Sequence, residues 1–238
     1  MHSAERKLQI NKPSTSKFNF DTVADSYDNW YDSRQGIIYD RLEKKLIASL
    51  LPTETKGKKL LEIGCGTGHW SQFFSGFGFH ITGVDVSERM IKIAQSRNVP
   101  NASFQIADAH SLPFNDNSFD ITVAITTLEF VHNAELVLQE MARCTHKPSG
   151  QLLIGVLNAL ARLNRNRQEN PESLYAKALL FSPEQLKKLL SKYGRTKVYT
   201  TGFIPGQKYF LPLSPLVDAV GRLFHLPYGV FIAGQVKL

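Results

Sequence analysis

The sequence predicts an α/β fold built on a parallel sheet, and two patterns carry that expectation. Apolar, β-prone runs alternate with stretches of helical period along most of the chain, as strand–helix–strand units require. Three successive runs also end in a carboxylate, at Glu62, Asp85 and Asp108. In a parallel sheet those ends share one edge, the edge at which ligands bind. At 238 residues and 42% hydrophobic, the chain can bury an ample core as one domain.

Residues 1–17 are polar without periodicity and read as a disordered tail, which leaves 18–238 as the folded unit. Asp25 to Leu51 reads as helical, its second half repeating apolar residues at Ile38, Leu42, Leu46 and Leu50. Ahead of Gly36 stand Tyr27, Trp30 and Tyr31, aromatics that suit either a lid contact or plain packing of helix on sheet. Leu60 to Gly68 is an apolar strand running into Gly64, Gly66 and Gly68. Lacking a Cβ, these glycines let the backbone take positive φ and let a ligand lie against the main chain. His69 to Phe77 then reads as a helix whose first N–H groups point back at that ligand.

Phe79 to Val84 is the second strand and ends in Asp85, about 20 residues past the glycine turn, a spacing that sets a carboxylate at the height of a ribose diol. A plain helix N-cap region around Asp85, Val86 and Ser87 is the other reading. Ala102 to Ala107 is a strand leading into Asp108, Ala109 and His110, and Ile121 to Ile125 is a central buried strand. Asn133 to Cys144 and Pro183 to Lys192 are amphipathic helices, the latter with Ser182 as N-cap. Between them lies the strand Gln151 to Leu157, followed by Arg162, Arg165 and Arg167 near the ligand edge. Thr196 to Phe203 and Tyr228 to Val236 are the last strands, separated by the Pro-rich, apolar excursion Pro205 to Pro227.

The glycine turn does not suit a phosphate. His69 fills the slot of the third glycine in a dinucleotide fingerprint, and Gly68 is followed by His69-Trp70 rather than the Lys-Ser/Thr of a phosphate loop. Glu62 would repel a pyrophosphate but could accept hydrogen bonds from a ligand ammonium, directly or through water. The expected ligand is cationic or zwitterionic.

Four linked stretches, Leu-Glu-Ile-Gly-Cys-Gly-Thr-Gly (61–68), Gly-Val-Asp-Val-Ser-Glu-Arg-Met-Ile (83–91), Ala-Asp-Ala-His-Ser-Leu-Pro-Phe (107–114) and Asn-Ser-Phe-Asp (117–120), resemble the class I S-adenosylmethionine-dependent methyltransferases. The branch they resemble is the small-molecule one that includes quinone-biosynthesis enzymes, and the resemblance covers Phe18 to Leu157 well and the remainder loosely. It implies a Rossmann-like, seven-stranded, mostly parallel sheet with an antiparallel last strand and helices on both faces. S-adenosylmethionine would be the cofactor, with Gly64, Cys65 and Gly66 against its methionine part and Glu62 toward its ammonium. Asp85, beside Val86, would hold the ribose hydroxyls, while Asp108 and the Ala109 amide read the adenine edge. Met90 would pack on the adenine face or simply in the core. Thr126 lies in the segment that the resemblance puts beside the sulfonium.

The same resemblance makes 18–51 a helical lid, with Tyr27 touching the cofactor and Trp30 the acceptor, and makes 158–180 and 205–227 substrate covers. Arg162 and Arg165, with Arg167, would attract an acidic acceptor. Many relatives carry a histidine where Phe130 stands. His132 and Glu129 are the candidates left for a catalytic base, and neither is assigned.

A net charge of +7 raises the question of a polyanion partner, but the basic clusters fall on separate elements without interleaved aromatics, so nucleic acid is not expected. No run of 18 apolar residues and no signal-like leader occurs, which points to a cytoplasmic protein without a transmembrane segment. The two cysteines read as reduced thiols and the seven histidines show no ligand spacing, so no metal is expected. The function read from all this is methyl transfer to a small, partly apolar or acidic acceptor by a monomer or homodimer. Its alternatives are an S-adenosylmethionine-binding partner or sensor without chemistry, and aminopropyl transfer, for which the acidic acceptor pattern is missing.

Overall fold

The computed structural model describes residues 16–204, 211 and 213–238. A seven-stranded sheet runs through it, formed by β1 (Lys59–Ile63), β2 (His80–Asp85), β3 (Ala102–Ile106), β4 (Ile121–Ile125), β5 (Gln151–Leu157), β6 (Arg195–Thr201) and β7 (Phe231–Lys237). Their order is β3-β2-β1-β4-β5-β7-β6, parallel from β3 to β5, with β7 antiparallel to both β5 and β6. The strand order therefore reverses between β1 and β4, which opens a crevice at their carboxyl ends.

Eight α-helices are described: α1 (Asn29–Asp32), α2 (Arg34–Leu50), α3 (His69–Ser75), α4 (Glu88–Ser96), α5 (Ala134–Cys144), α6 (Arg162–Glu169), α7 (Pro183–Leu190) and α8 (Ser214–Leu223). Side chains alternate along the strands, so the sheet buries two faces. Leu60, Ile121, Val123, Ile125 and Leu153 meet Leu46 and Ile47 of α2 and Trp70 and Phe74 of α3 on one side. Leu61, Ile63, Ala124, Leu152 and Ile154 meet Leu138 and Met141 of α5 and Leu186 and Leu190 of α7 on the other. β4 and β5 are buried along their whole length, as strands covered on both faces must be.

Three expectations change. The helix over Asp25 to Leu51 is broken at Ser33, whose extended backbone and Oγ, accepting the Gly36 N–H at 2.9 Å, start α2 afresh. β7 begins at Phe231 rather than Tyr228. Part of the excursion 205–227 is the helix α8, although 205–210 and 212 lie outside the described residues. It is apolar on the wrong side for a surface helix: Ser214, Asp218 and Gly221 face inward, while Leu216, Val220 and Leu223 are exposed. Asp218 anchors it by accepting the Thr201 hydroxyl at 2.9 Å and the Gly202 N–H at 2.7 Å. Of the tail expected over 1–17, residues 1–15 lie outside the described residues; Ser16 bridges to Val131. Among the described residues no helix is long and apolar enough to cross a membrane.

Candidate active site

The crevice between β1 and β4 holds a cavity, placed where open α/β sheets bind their ligands. β1 delivers the glycine turn to it. Gly64, Gly66 and Gly68 have φ of +66°, +53° and +81°. A Cβ on Gly64 would strike the Thr127 hydroxyl at 2.4 Å, whereas one on Gly66 would meet nothing within 4 Å and would project into open space. Gly64 is thus required by packing, and both residues by a backbone conformation that side-chain-bearing residues rarely adopt.

Asp85, at the end of β2, accepts the Gly66 N–H at 2.9 Å through Oδ2 and the Ser87 N–H at 2.9 Å through Oδ1. Burial raises its pKa and those N–H bonds pull it back. A carboxylate has about four acceptor sites, so each oxygen can take a ligand hydroxyl as well. Asp108 Oδ1 accepts the His110 N–H at 2.9 Å and lies 2.8 Å from His110 Nδ1. Because His110 Nε2 accepts the Asn133 N–H at 3.2 Å, the ring proton sits on Nδ1 and is donated to Asp108. Asp108, Ala109, Val86, Met90 and Thr126 all line this cavity, as do Tyr27, Gly64, Gly66 and Asp85.

Two residues expected here do not reach its surface. Glu62 is buried beneath the turn, where it accepts the Ser71 hydroxyl at 2.5 Å, and burial pushes its carboxyl up to about 8 against that bond. Cys65 is buried as well, with burial raising its thiol pKa. Of the base candidates, His132 is exposed and lines neither this cavity nor the next. Glu129 is fully buried and ties the loop after β4 to β5 by accepting the Leu157 N–H at 2.6 Å. Phe130 packs edge-on against Phe20.

A second cavity lies on the other side of Tyr27 and Thr126, which line both. Its walls include Trp30 and Tyr31 of α1, Tyr39 and Glu43 of α2, Trp70 of α3, Asn164 and Arg167 of α6, and Leu174 and Tyr175 from the short 3-10 turn Leu174–Lys177. Arg162 and Arg165 are exposed and line neither cavity; of that cluster Arg167 does. Segment 158–180 therefore supplies walls, while the described residues of 205–227 line neither cavity. Glu43, Tyr39 and Tyr175 carry no motif that marks them in the sequence. The one available signal is that Glu43 follows Tyr39 by four positions, on the flank of the buried stripe of α2.

A three-carboxylate clamp, equally silent in the sequence, holds the N-terminal segment over the first cavity. Asp21 accepts the Ser87 hydroxyl at 2.5 Å and the Arg89 N–H at 3.1 Å at the start of α4. Asp25 pairs with Arg89, while Asp28 pairs with Arg97 and accepts the Thr67 hydroxyl at 2.8 Å.

Residues 35–200 match the family described as "Methyltransferase domain". An uncharacterised protein of Methanocaldococcus jannaschii is 33% identical over 184 residues, 76% of this chain and 83% of that protein. A malonyl-[acyl-carrier protein] O-methyltransferase of Erwinia billingiae is 36% identical over 107 residues, 45% of this chain but 42% of its own length. The chain thus spans less than half of that named relative. A solved structure from Thermotoga maritima, described as a possible histamine N-methyltransferase, superposes with a TM-score of 0.72 at 27% identity, covering 92% of this chain and 97% of its own.

Proposed function

The chain belongs to the S-adenosylmethionine-dependent methyltransferases, and from that premise we propose that it methylates a small molecule held in the second cavity. The observation that carries this reading is the wall of Tyr27 and Thr126 common to both cavities, since a methyl group must cross between cofactor and acceptor at one point of contact.

In this reading Gly64 and Gly66 lie against the methionine part of the cofactor and Asp85 takes the ribose hydroxyls. Asp108 and the Ala109 amide take the adenine edge, with Val86 and Met90 on its faces. The lid 18–51 closes the cofactor in and presents Trp30 to the acceptor, and 158–180 covers the acceptor from the other side. Displacement at a sulfonium needs little covalent help. Holding nucleophile, methyl and sulfur in line supplies up to roughly 7–11 kcal/mol in favourable systems. We also place the protein in the cytoplasm, a reading supported by its two free, buried cysteines.

The test is incubation with methyl-labelled S-adenosylmethionine and a cell metabolite extract. Label is expected in one or a few small molecules. Cofactor binding with label in none of them, or only in macromolecules, would sink the small-molecule reading.

A further inference from the structure

The second cavity carries two ionisable side chains whose heads have no hydrogen-bonding partner among the described residues. Elsewhere around the site charges are matched: Asp40, Lys44 and His69 meet at 2.8 Å, and Asp28 is paired with Arg97. Glu43 and Arg167 both line the cavity, yet neither makes a hydrogen bond or ion pair to any described residue, including each other. Both residues are half-buried and their heads are not sealed from solvent, so a ligand entering the cavity meets them directly.

The two heads differ in what they ask for. The Arg167 guanidinium lies 4.4 Å above the Trp30 ring and 5.3 Å from that of Tyr175. It already occupies the ring faces that would otherwise attract a ligand cation. A guanidinium also stays charged at any working pH. Glu43 is pushed up to about 8 by burial and by Asp40, against the pull of Arg167 and Lys44, with Glu129 and the rings of Tyr31, Tyr39 and Tyr175 around it. Near neutrality the cavity is therefore positive on balance. Six aromatic side chains line it among aliphatic ones, and their rings suit a flat ligand.

We propose that this cavity takes a planar aromatic acid, its anionic group on Arg167 and an O–H or N–H donor on Glu43. This deepens the proposed function and rests on the second cavity being the acceptor site. It names the acceptor class as a flat hydroxy or amino acid anion, rather than an amine cation or a neutral lipid-like molecule.

The chain's two tryptophans, Trp30 and Trp70, both line this cavity, so intrinsic fluorescence reports its occupancy without any turnover. With the protein saturated in S-adenosylhomocysteine, four probes are titrated: 4-hydroxybenzoate, benzoate, phenol and the cation tyramine. Saturable quenching is expected to be strongest with 4-hydroxybenzoate. Arg167→Met should weaken 4-hydroxybenzoate and benzoate at least tenfold while leaving phenol within about twofold, and Arg167→Lys should restore part of the loss. Glu43→Met, which removes the acceptor, should erase the advantage of 4-hydroxybenzoate over benzoate. Unchanged S-adenosylhomocysteine affinity in each variant shows that the fold is intact.

Tyramine binding as well as the hydroxy acid, no saturable quenching by either acid, or equal weakening of all four probes by Arg167→Met would each overturn the assignment. Probe binding needs no methyl transfer. Its failure is therefore distinct from a failure to label any metabolite, which would strike the proposed function itself.

Discussion

Tyr27 and Thr126 form one wall shared by two cavities, the first residue reaching it from the N-terminal segment and the second from the end of β4. Thr126 holds φ of +49° with its N–H bonded to the Gly155 carbonyl at 2.8 Å, a conformation that is strained for a β-branched residue. Strain of this kind costs about 1–3 kcal/mol and persists where the surroundings dictate it. Thr126→Gly should therefore raise the melting temperature by roughly 2–4 °C per kcal/mol released. The same change should lower kcat, because the wall loses its side chain. A variant that melts lower and turns over normally would separate the strain from the chemistry and contradict both parts.

Asp85 makes the sharpest test of cofactor placement. Asp85→Ala removes the acceptor for two backbone N–H groups and for the ligand hydroxyls, and should weaken binding by about 1.5–3 kcal/mol for each charge-assisted hydrogen bond to the ligand that it removes. Gly66→Val should be worse, since the φ of +53° is unsuited to valine and the space its side chain would enter is the cavity. Titration calorimetry with S-adenosylhomocysteine reads both. Wild-type affinity in Asp85→Ala would move the ribose elsewhere.

The first cavity is legible in the sequence because its parts are local. A glycine turn after β1 and acids at the ends of β2 and β3 are patterns of a few residues each, and the parallel sheet gathers them automatically. The second cavity is not, since Trp30, Glu43, Trp70, Arg167 and Tyr175 come from separate elements that meet through tertiary packing alone. Arg162 and Arg165 show the limit directly. On α6 they stand one and two positions from residues that face the cavity, Leu163, Asn164 and Arg167, and the helical turn carries them out to solvent. Helix α8 escapes because its inward face, Ser214, Asp218 and Gly221, inverts the apolar periodicity by which helices are read. Ser33 is an ordinary N-cap residue inside an apolar pattern, and the pattern hides the break it makes.

The clamp that holds the N-terminal segment predicts unequal roles for its carboxylates. Asp25 and Arg89 are 74% and 50% exposed, so Asp25→Asn should change cofactor affinity by no more than about 1 kcal/mol. Asp28 and Arg97 are 34% and 23% exposed and share the Thr67 hydroxyl, which sits in the glycine turn itself. Asp28→Asn should speed release of S-adenosylhomocysteine several-fold in stopped-flow experiments and leave its association rate nearly unchanged. Similar release rates in the two variants would mean that the pair does not hold the segment closed.

Carboxyls raised by burial shape the dependence of stability on pH, Glu62 and Glu129 beside Glu43. Burial pushes Glu62 and Glu129 each up to about 8, whereas in the unfolded chain they titrate near about 4.3. Between those values the folded protein binds protons that the unfolded chain has released. Their contribution is therefore full below about pH 4 and is lost as pH rises through about 8. The melting temperature should fall between about pH 5 and about pH 8 and level off above that. Glu129 Oε1 accepts the Leu157 N–H, while Oε2 has no partner among the described residues, so the proton it holds at neutral pH faces no competing bond. Glu129→Gln keeps the acceptor for Leu157 and cannot ionise. Its melting temperature near pH 5 should lie at or below that of the wild type, and its decline toward about pH 8 should be visibly shallower by differential scanning calorimetry. Parallel slopes for the two proteins would show that Glu129 titrates in its ordinary range.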